Sequence, residues 1–328
     1  DGLIRVFNHG YLAVDFFFLL SGFVINYAYN DRWKEMTTAS FFKRRLIRLH
    51  PMLIMGAFIG LICFLIGGSE QWNGTKIPLY ISIITFLLTC FMIPALPSSF
   101  NEIRGNGELF PLNGPMWSLF FEYIGNILYA LFIRRLSTKL LTFVVILLGI
   151  LHSIFTIGNL SGYGNLGVGW TFDTINFCGG MLRMLFPFTL GMLISRRFKA
   201  IKLPYPFLIC SILLIATLSM PYLSAFKAIN FNGIYESFCI TVIFPLILII
   251  GASSQEKSKL SQTLGELSYP LYIIHYPIMY LFYQWLIKTK QYTLSETYPV
   301  AILVVILSIV LAFILLKLYD KPLRQRLK

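Results

Sequence analysis

Apolar runs of membrane-spanning length succeed one another along nearly the whole chain, at 11–29, 52–67, 78–96, 115–133, 140–157, 180–195, 205–222, 234–251, 267–287 and 298–318. A helix that crosses an ~30 Å hydrocarbon slab needs about 20 such residues. The runs lack the alternation of barrel strands, and in lipid only helices or closed barrels satisfy their own backbone. The expected fold is therefore all-α: a polytopic transmembrane helical bundle of nine or ten segments, in one membrane-embedded domain of 328 residues. Charged residues make up 12% of the chain, about half the share in ordinary soluble domains, and no polar stretch is long enough for a separate soluble domain.

The placement of charge sets the orientation. A net charge of +13 could suggest nucleic acid, but the Lys and Arg residues sit in short gaps beside apolar runs, which is the positive-inside pattern. The basic gaps are 31–48, 134–139, 196–202, 257–259 and the tail from Lys317 to Lys328; these are assigned to the cytoplasm. The gaps 68–77, 97–114, 158–179, 223–233 and 288–297 hold few basic residues and are assigned to the outside. Three runs separate Arg48 from Arg134, where an even number of crossings is required. The run 78–96 continues through Pro94 and Pro97 and is expected to be re-entrant or interfacial. Nine crossings then put Asp1 outside and Lys328 inside; one more helix before Asp1 would make ten, with both ends cytoplasmic.

The five cysteines, Cys63, Cys90, Cys178, Cys210 and Cys239, form no CxxC and no Cys/His metal spacing, so neither a metal site nor a structural disulfide is expected. Gly162, Gly164 and Gly167 match the dinucleotide fingerprint by spacing only, with no strand before them, and read as turn residues. Asn73 and Asn159 begin glycosylation-type tripeptides, a short pattern that matters only in cells with that machinery.

Polar groups within the apolar runs are expensive and mark candidate sites. Asp15, Gly22, Asn26 and Tyr29 fall on one helical face, as do Ser118, Glu122 and Asn126, and Ser268, Tyr272, His275 and Tyr276. Facing one cavity, three such faces would form a polar pocket. Asn26 and Ser118 read as hydrogen-bonding glue between helices. Glu122 is the functional candidate, because a carboxylate at depth needs a partner. His275 reads as structural rather than catalytic, His50 and His152 carry still less signal, and Arg183 reads as a snorkelling side chain. In the segment Phe41–Leu49, Arg45 and Arg48 lie one turn apart. Guanidinium pairs suit phosphate recognition, although anionic lipid alone could satisfy a basic loop.

Four blocks resemble the integral-membrane acyltransferase-3 family, in the family's order and across nearly the whole chain. The segment His9–Ile25, with its Asp15-Phe-Phe-Phe-Leu-Leu-Ser21-Gly22 core, resembles the second-helix signature, and Phe42–Pro51 resembles the RxxR segment. Trp117-Ser118-Leu-Phe-Phe-Glu122 resembles the WSLxxE block, and Ser268-Tyr-Pro-Leu-Tyr272-Ile-Ile-His275-Tyr-Pro277 the late helix; Tyr319-Asp320-Lys-Pro322 fits the domain's end. The resemblance implies transfer of an acyl group, often acetyl, from cytoplasmic acyl-CoA to a hydroxyl of an extracytoplasmic polysaccharide or glycolipid. It implies O-acetylation as polysaccharide modification in a bacterial inner membrane, with acyl-CoA as donor substrate and no permanently bound cofactor. Arg45 and Arg48, with Arg44 beside them, would contact the coenzyme. Trp117 and Glu122 would shape a central pocket, with Tyr272, His275 and Asp15 as further candidates. The family's catalytic histidine belongs to a helix upstream of this signature. It is expected before Asp1, in a longer protein, with His9 at the outer surface and no substitute for it. Two other readings compete: a transporter or flippase for a polar or lipid-linked substrate, which buried polar faces also suit, and a catalytically dead scaffold of the same fold.

Overall fold

The computed structural model describes residues 7–223, 230–254, 258–290 and 293–327. Asp1, Lys257 and Lys328, which enter the charge pattern above, lie outside the described residues. Helices account for the architecture, and the only β pairings among the described residues are the isolated bridges Glu70–Lys76 and Glu108–Thr171. In chain order the helices are α1 (Ala13–Tyr29), α2 (Thr38–Ile66), α3 (Leu79–Cys90), α4 (Met116–Leu131), α5 (Thr138–Ile157) and α6 (Thr174–Arg197). They continue with α7 (Pro206–Ser219), α8 (Phe231–Phe238), α9 (Phe244–Ser253), α10 (Lys259–Thr289), α11 (Leu294–Leu315) and α12 (Lys321–Arg326). A π-helical turn joins α8 to α9 and another joins α11 to α12, so each pair forms one continuous rod.

Among the described residues, seven helical stretches have the length and composition to cross a membrane. The helix α3 has 12 residues, about 18 Å at 1.5 Å per residue, which is too short to span. This fits the expectation for 78–96. Two runs counted as spans depart from the expectation: 267–287, which lies in α10 and is not among the seven, and 205–222, whose helix α7 has 14 residues, about 21 Å. Proline sets both limits of α7. Pro206 sits in its first turn, and Met220, which precedes Pro221, has the extended ψ of 130° that a following proline favours. The run expected from 52 begins earlier, at Thr38, so that α2 carries Arg44, Arg45 and Arg48 in its first turns, with Arg45 and Arg48 one helical turn apart as expected.

Two compact units emerge. The first comprises Asp1–Thr38, Phe121–Gly169 and Thr174–Glu256; the second comprises Ala39–Phe120, Trp170–Asp173 and Lys257–Lys328. Glycine sets the packing within each. In the first unit, a Cβ on Gly22 of α1 would stand 1.9 Å from the Phe188 carbonyl of α6, and one on Gly191 of α6 would stand 2.0 Å from the Leu19 carbonyl of α1. These reciprocal contacts let the two backbones touch, which is how membrane helices gain packing without a hydrophobic drive. In the second unit, Gly56 and Gly60 of α2 do the same. A Cβ on Gly56 would meet Ile273 of α10 at 2.2 Å, and one on Gly60 would meet the Leu112 carbonyl at 2.2 Å.

Candidate active site

In the first unit, the glycine contacts between α1 and α6 fix the face of α1 that carries Ser21. Its hydroxyl donates to Glu122 Oε1 of α4 at 2.5 Å. Asn126, one turn along α4, donates to the same oxygen at 3.2 Å and to the Glu122 carbonyl at 2.7 Å. Glu122 is fully buried, so its carboxylate is an oriented acceptor group with fixed donors. Ser21 was legible only as part of a motif, since a serine before a glycine carries no charge to single it out.

Asp15 takes a different role from the expected pocket group. Arg183 of α6 grips it in a fork, Nε to Oδ1 at 3.0 Å and Nη2 to Oδ2 at 2.6 Å. The same guanidinium donates to the Val168 carbonyl at 2.7 Å and the Tyr11 carbonyl at 2.8 Å. Arg183 therefore does not snorkel; it is 1% exposed, and the fork replaces the water that its charge gives up. His9 also departs from its expected place on the outer surface. It is fully buried, between the rings of Tyr222 and Tyr235, with Nδ1 2.9 Å from the Tyr11 hydroxyl. Tyr11 in turn donates to Glu236 of α8. An aromatic pocket and a local hydrogen bond make burial of the ring affordable.

In the second unit, the two prolines of α10 create its polar features. Pro277 has no N–H, so the Ile273 carbonyl loses its helical donor. The Asn113 side chain supplies the replacement, 2.7 Å away. The Tyr272 hydroxyl donates to the Pro115 carbonyl at 3.0 Å and lies 2.6 Å from Ser118 Oγ. The late-helix block and the start of the WSLxxE block are thus joined, with Trp117 buried beside them. His275 holds its Nδ1 against the carbonyls of Tyr272, at 2.9 Å, and Leu271, at 3.1 Å. A carbonyl can only accept, so Nδ1 carries the proton and Nε2 is the acceptor atom of the neutral ring. Ser268, by contrast, is exposed and bonds its own helix at Gly265.

Farther along α10, Tyr280 accepts from the Gly114 N–H at 3.1 Å and donates to Glu108. Burial raises the Glu108 carboxyl above its ordinary range, against the lowering effect of Tyr280, Asn106 and the Arg104 charge. Arg104 is fully buried. Its Nε donates to the Pro111 carbonyl at 2.9 Å, and its guanidinium lies over Tyr280 at 4.2 Å, Phe64 at 4.8 Å and Trp72 at 4.9 Å. Neither Arg104 nor Glu108 stands out in the sequence pattern. The available signal was that Arg104 is the sole basic residue of the gap 97–114.

At the basic end of this unit, Arg44 and Arg48 are exposed and Arg45 is half-buried. Arg48 lies within electrostatic range of Arg45, Arg324, Asp320 and Tyr269, and Arg324 pairs with Asp320. Two phenols tie the elements together: Tyr269 of α10 donates to the Leu49 carbonyl at 2.7 Å, and Tyr319 to the Pro51 carbonyl at 3.2 Å. Lys321 pairs with Glu266 at 2.6 Å. The RxxR segment and the terminal Tyr-Asp-Lys-Pro block thus form one cluster, in which Arg48 and Arg324 flank Asp320 and Arg45 lies beside Arg48. Arg324 was legible only as one more basic residue of the tail.

Against known proteins, the pattern of a family described as an acyltransferase domain, acyltransferase-3, matches residues 2–317. A Rhizobium radiobacter protein named "Protein 2 in picA locus" is 36% identical over 142 residues, covering 39% of this chain and 69% of that protein. No solved structure matches.

Proposed function

The chain belongs to the acyltransferase-3 family of membrane acyltransferases, and from that premise we propose that it takes an acyl group from acyl-CoA on the cytoplasmic side and passes it to a hydroxyl of an extracytoplasmic polysaccharide or glycolipid. Acetyl-CoA is the proposed donor and the bacterial inner membrane the proposed location. In the transfer, the acceptor oxygen bonds to the acyl carbonyl carbon and the carbon–sulfur bond breaks. The hydroxyl proton passes through a base to the departing thiolate.

The observation that carries the donor assignment is the approach of Arg48 and Arg324 to a single carboxylate, Asp320, with Arg45 beside Arg48. Surplus guanidinium charge at the basic end of a membrane helix suits the phosphates of a coenzyme. Glu122 is the proposed acceptor-side group, because a carboxylate already oriented by Ser21 and Asn126 can accept a sugar hydroxyl with little reorganisation.

The test is donor binding. Arg45→Ala and Arg48→Ala should each weaken acetyl-CoA binding by about tenfold or more, the worth of a charge-assisted hydrogen bond, with unchanged thermal melting. Unaltered donor affinity in both variants would overturn the assignment. Mass analysis of surface glycans after gene deletion identifies the acceptor through the loss of one acyl mass increment.

A further inference from the structure

The first unit holds a polar hollow that the acyl-transfer reading leaves unused. It has a volume of about 760 Å³ and is walled by the end of α1, the turn after α4, the start of α5 and the end of α6. They belong to or adjoin three basic gaps, 31–48, 134–139 and 196–202, that the charge pattern assigns to one side of the membrane. The residues that matter are Asn26, Asp31, Arg134, Ser137, Thr138 and Arg196.

Two guanidinium groups and one carboxylate, Asp31, line the hollow. Arg134 is clamped: its Nε donates to the Ala130 carbonyl at 2.6 Å, and its plane lies 3.8 Å over the Trp33 ring. Those contacts leave both Nη groups of a fixed fork out of the hydrogen bond. Arg196 uses Nη1 on the Leu136 carbonyl at 2.7 Å and Nη2 on the Arg134 carbonyl at 3.5 Å. Its Nε is buried with no hydrogen-bond partner among the described residues. The helix α5 starts at Thr138 in the wall of the hollow. Ser137 caps the Leu140 N–H at 3.2 Å, and the start of the helix adds the positive end of its dipole. All three features favour an anion.

Asn26 adds a second requirement. It is 3% exposed and donates to Ser195 Oγ at 3.1 Å, while its Oδ1 is buried and accepts nothing among the described residues. A buried acceptor of this kind calls for a donor, which a hydroxyl on the ligand would supply. The flanking side chains Tyr27, Phe132, Leu140 and Phe143 are apolar in body and strongly exposed, a surface suited to acyl tails.

We propose that this hollow binds a phosphate ester with a hydroxyl-bearing headgroup, the chemistry of phosphatidylglycerol. The phosphate sits between Arg134, Arg196 and the start of α5, and the glycerol hydroxyl donates to Asn26 Oδ1. The same chemistry exists in soluble form as glycerol phosphate, so the experiment separates the two sources.

The full chain in detergent micelles is titrated by native mass spectrometry with phosphatidylglycerol, phosphatidylcholine and glycerol phosphate. Phosphatidylglycerol should bind at least tenfold more tightly than phosphatidylcholine. Arg134→Gln and Thr138→Asp should each cut that preference at least fivefold. Thr138→Asp places a carboxylate at the first helical position, where the dipole favours it, so it disfavours the anion while preserving α5. Should Arg134→Gln fail to fold, Thr138→Asp decides alone. Glycerol phosphate binding as tightly as the lipid, and weakening in the same variants, supports the site with a soluble ligand. Equal retention of the two lipids with no glycerol phosphate binding overturns the proposal, as does a preference that survives substitution. The latter result would reduce Arg196 to a cap on the carbonyls that follow α4.

Discussion

Arginine does opposite work at two places, one in each unit. In the first, Arg183 meets a single carboxylate in a closed fork and places two further hydrogen bonds on backbone carbonyls. Nothing is left over for a ligand. In the second, Arg48 and Arg324 share one carboxylate, Asp320, and Arg48 is exposed. Charge that is fully matched within the protein holds helices together; charge in excess of its partners is available to bind. The count of partners separates the two uses, because the residue type is the same.

The largest expected effect tests the matched side. Arg183→Met leaves Asp15 buried without its partner, and loss of one member of a buried pair costs about 3–5 kcal/mol. The readout is the unfolding midpoint in detergent. Because hydrophobic replacement of a whole buried pair is often neutral, Asp15→Leu combined with Arg183→Met should recover most of the loss. A single variant that melts normally would break the comparison. Next in size is Glu122→Gln, expected to lower acyl transfer by about 100-fold with little change in melting. An equal loss of stability would make Glu122 a packing group instead. Arg324→Ala follows, with donor KM raised about tenfold, comparable to the loss expected for Arg48→Ala. An unchanged KM would remove Arg324 from the cluster and sharpen the donor site to α2 alone.

Tyr272→Phe is smaller still, at about 1 kcal/mol for one hydrogen bond, read by melting. The smallest effect is electrostatic and lies outside the helices. Hydrogen bonds from Lys288 and Lys76 hold the Glu70 carboxyl below its ordinary range. A folded-state pKa that is depressed contributes stability above the unfolded value, and this is lost as pH falls through the folded value. Glu70→Gln should therefore flatten the acid side of the stability profile slightly while leaving neutral pH little changed. Both lysines are open to water, where screening keeps such pairs weak. A steep acid limb that persists in Glu70→Gln would locate the titration elsewhere.

Much of the site was legible because expense is visible in sequence. Glu122 and Tyr272 stood out as polar groups within apolar runs, and each has hydrogen-bond partners where its helix face requires them. Arg183 and His9 were misplaced because each lies near the end of an apolar run, where a route to water is the cheaper local answer. Long-range partners, Asp15 for the one and Tyr222 with Tyr235 for the other, supplied what solvent otherwise would. Arg104 escaped notice because a lone arginine in a connecting segment reads as solvated. Its burial depends on three aromatic rings drawn from separate stretches of chain.

The sequence alone determined an all-helical membrane protein, the positions of most helices and the family, because helix length, hydropathy and the cost of buried charge are local properties of a chain in lipid. Tertiary structure decided which charges are consumed and which are spare. Glycine contacts bring α1 against α6 and α2 against α10, and each guanidinium then finds, or fails to find, a carboxylate contributed from far along the chain. Coulomb attraction depends on distance through space, which no pattern of neighbours in sequence records.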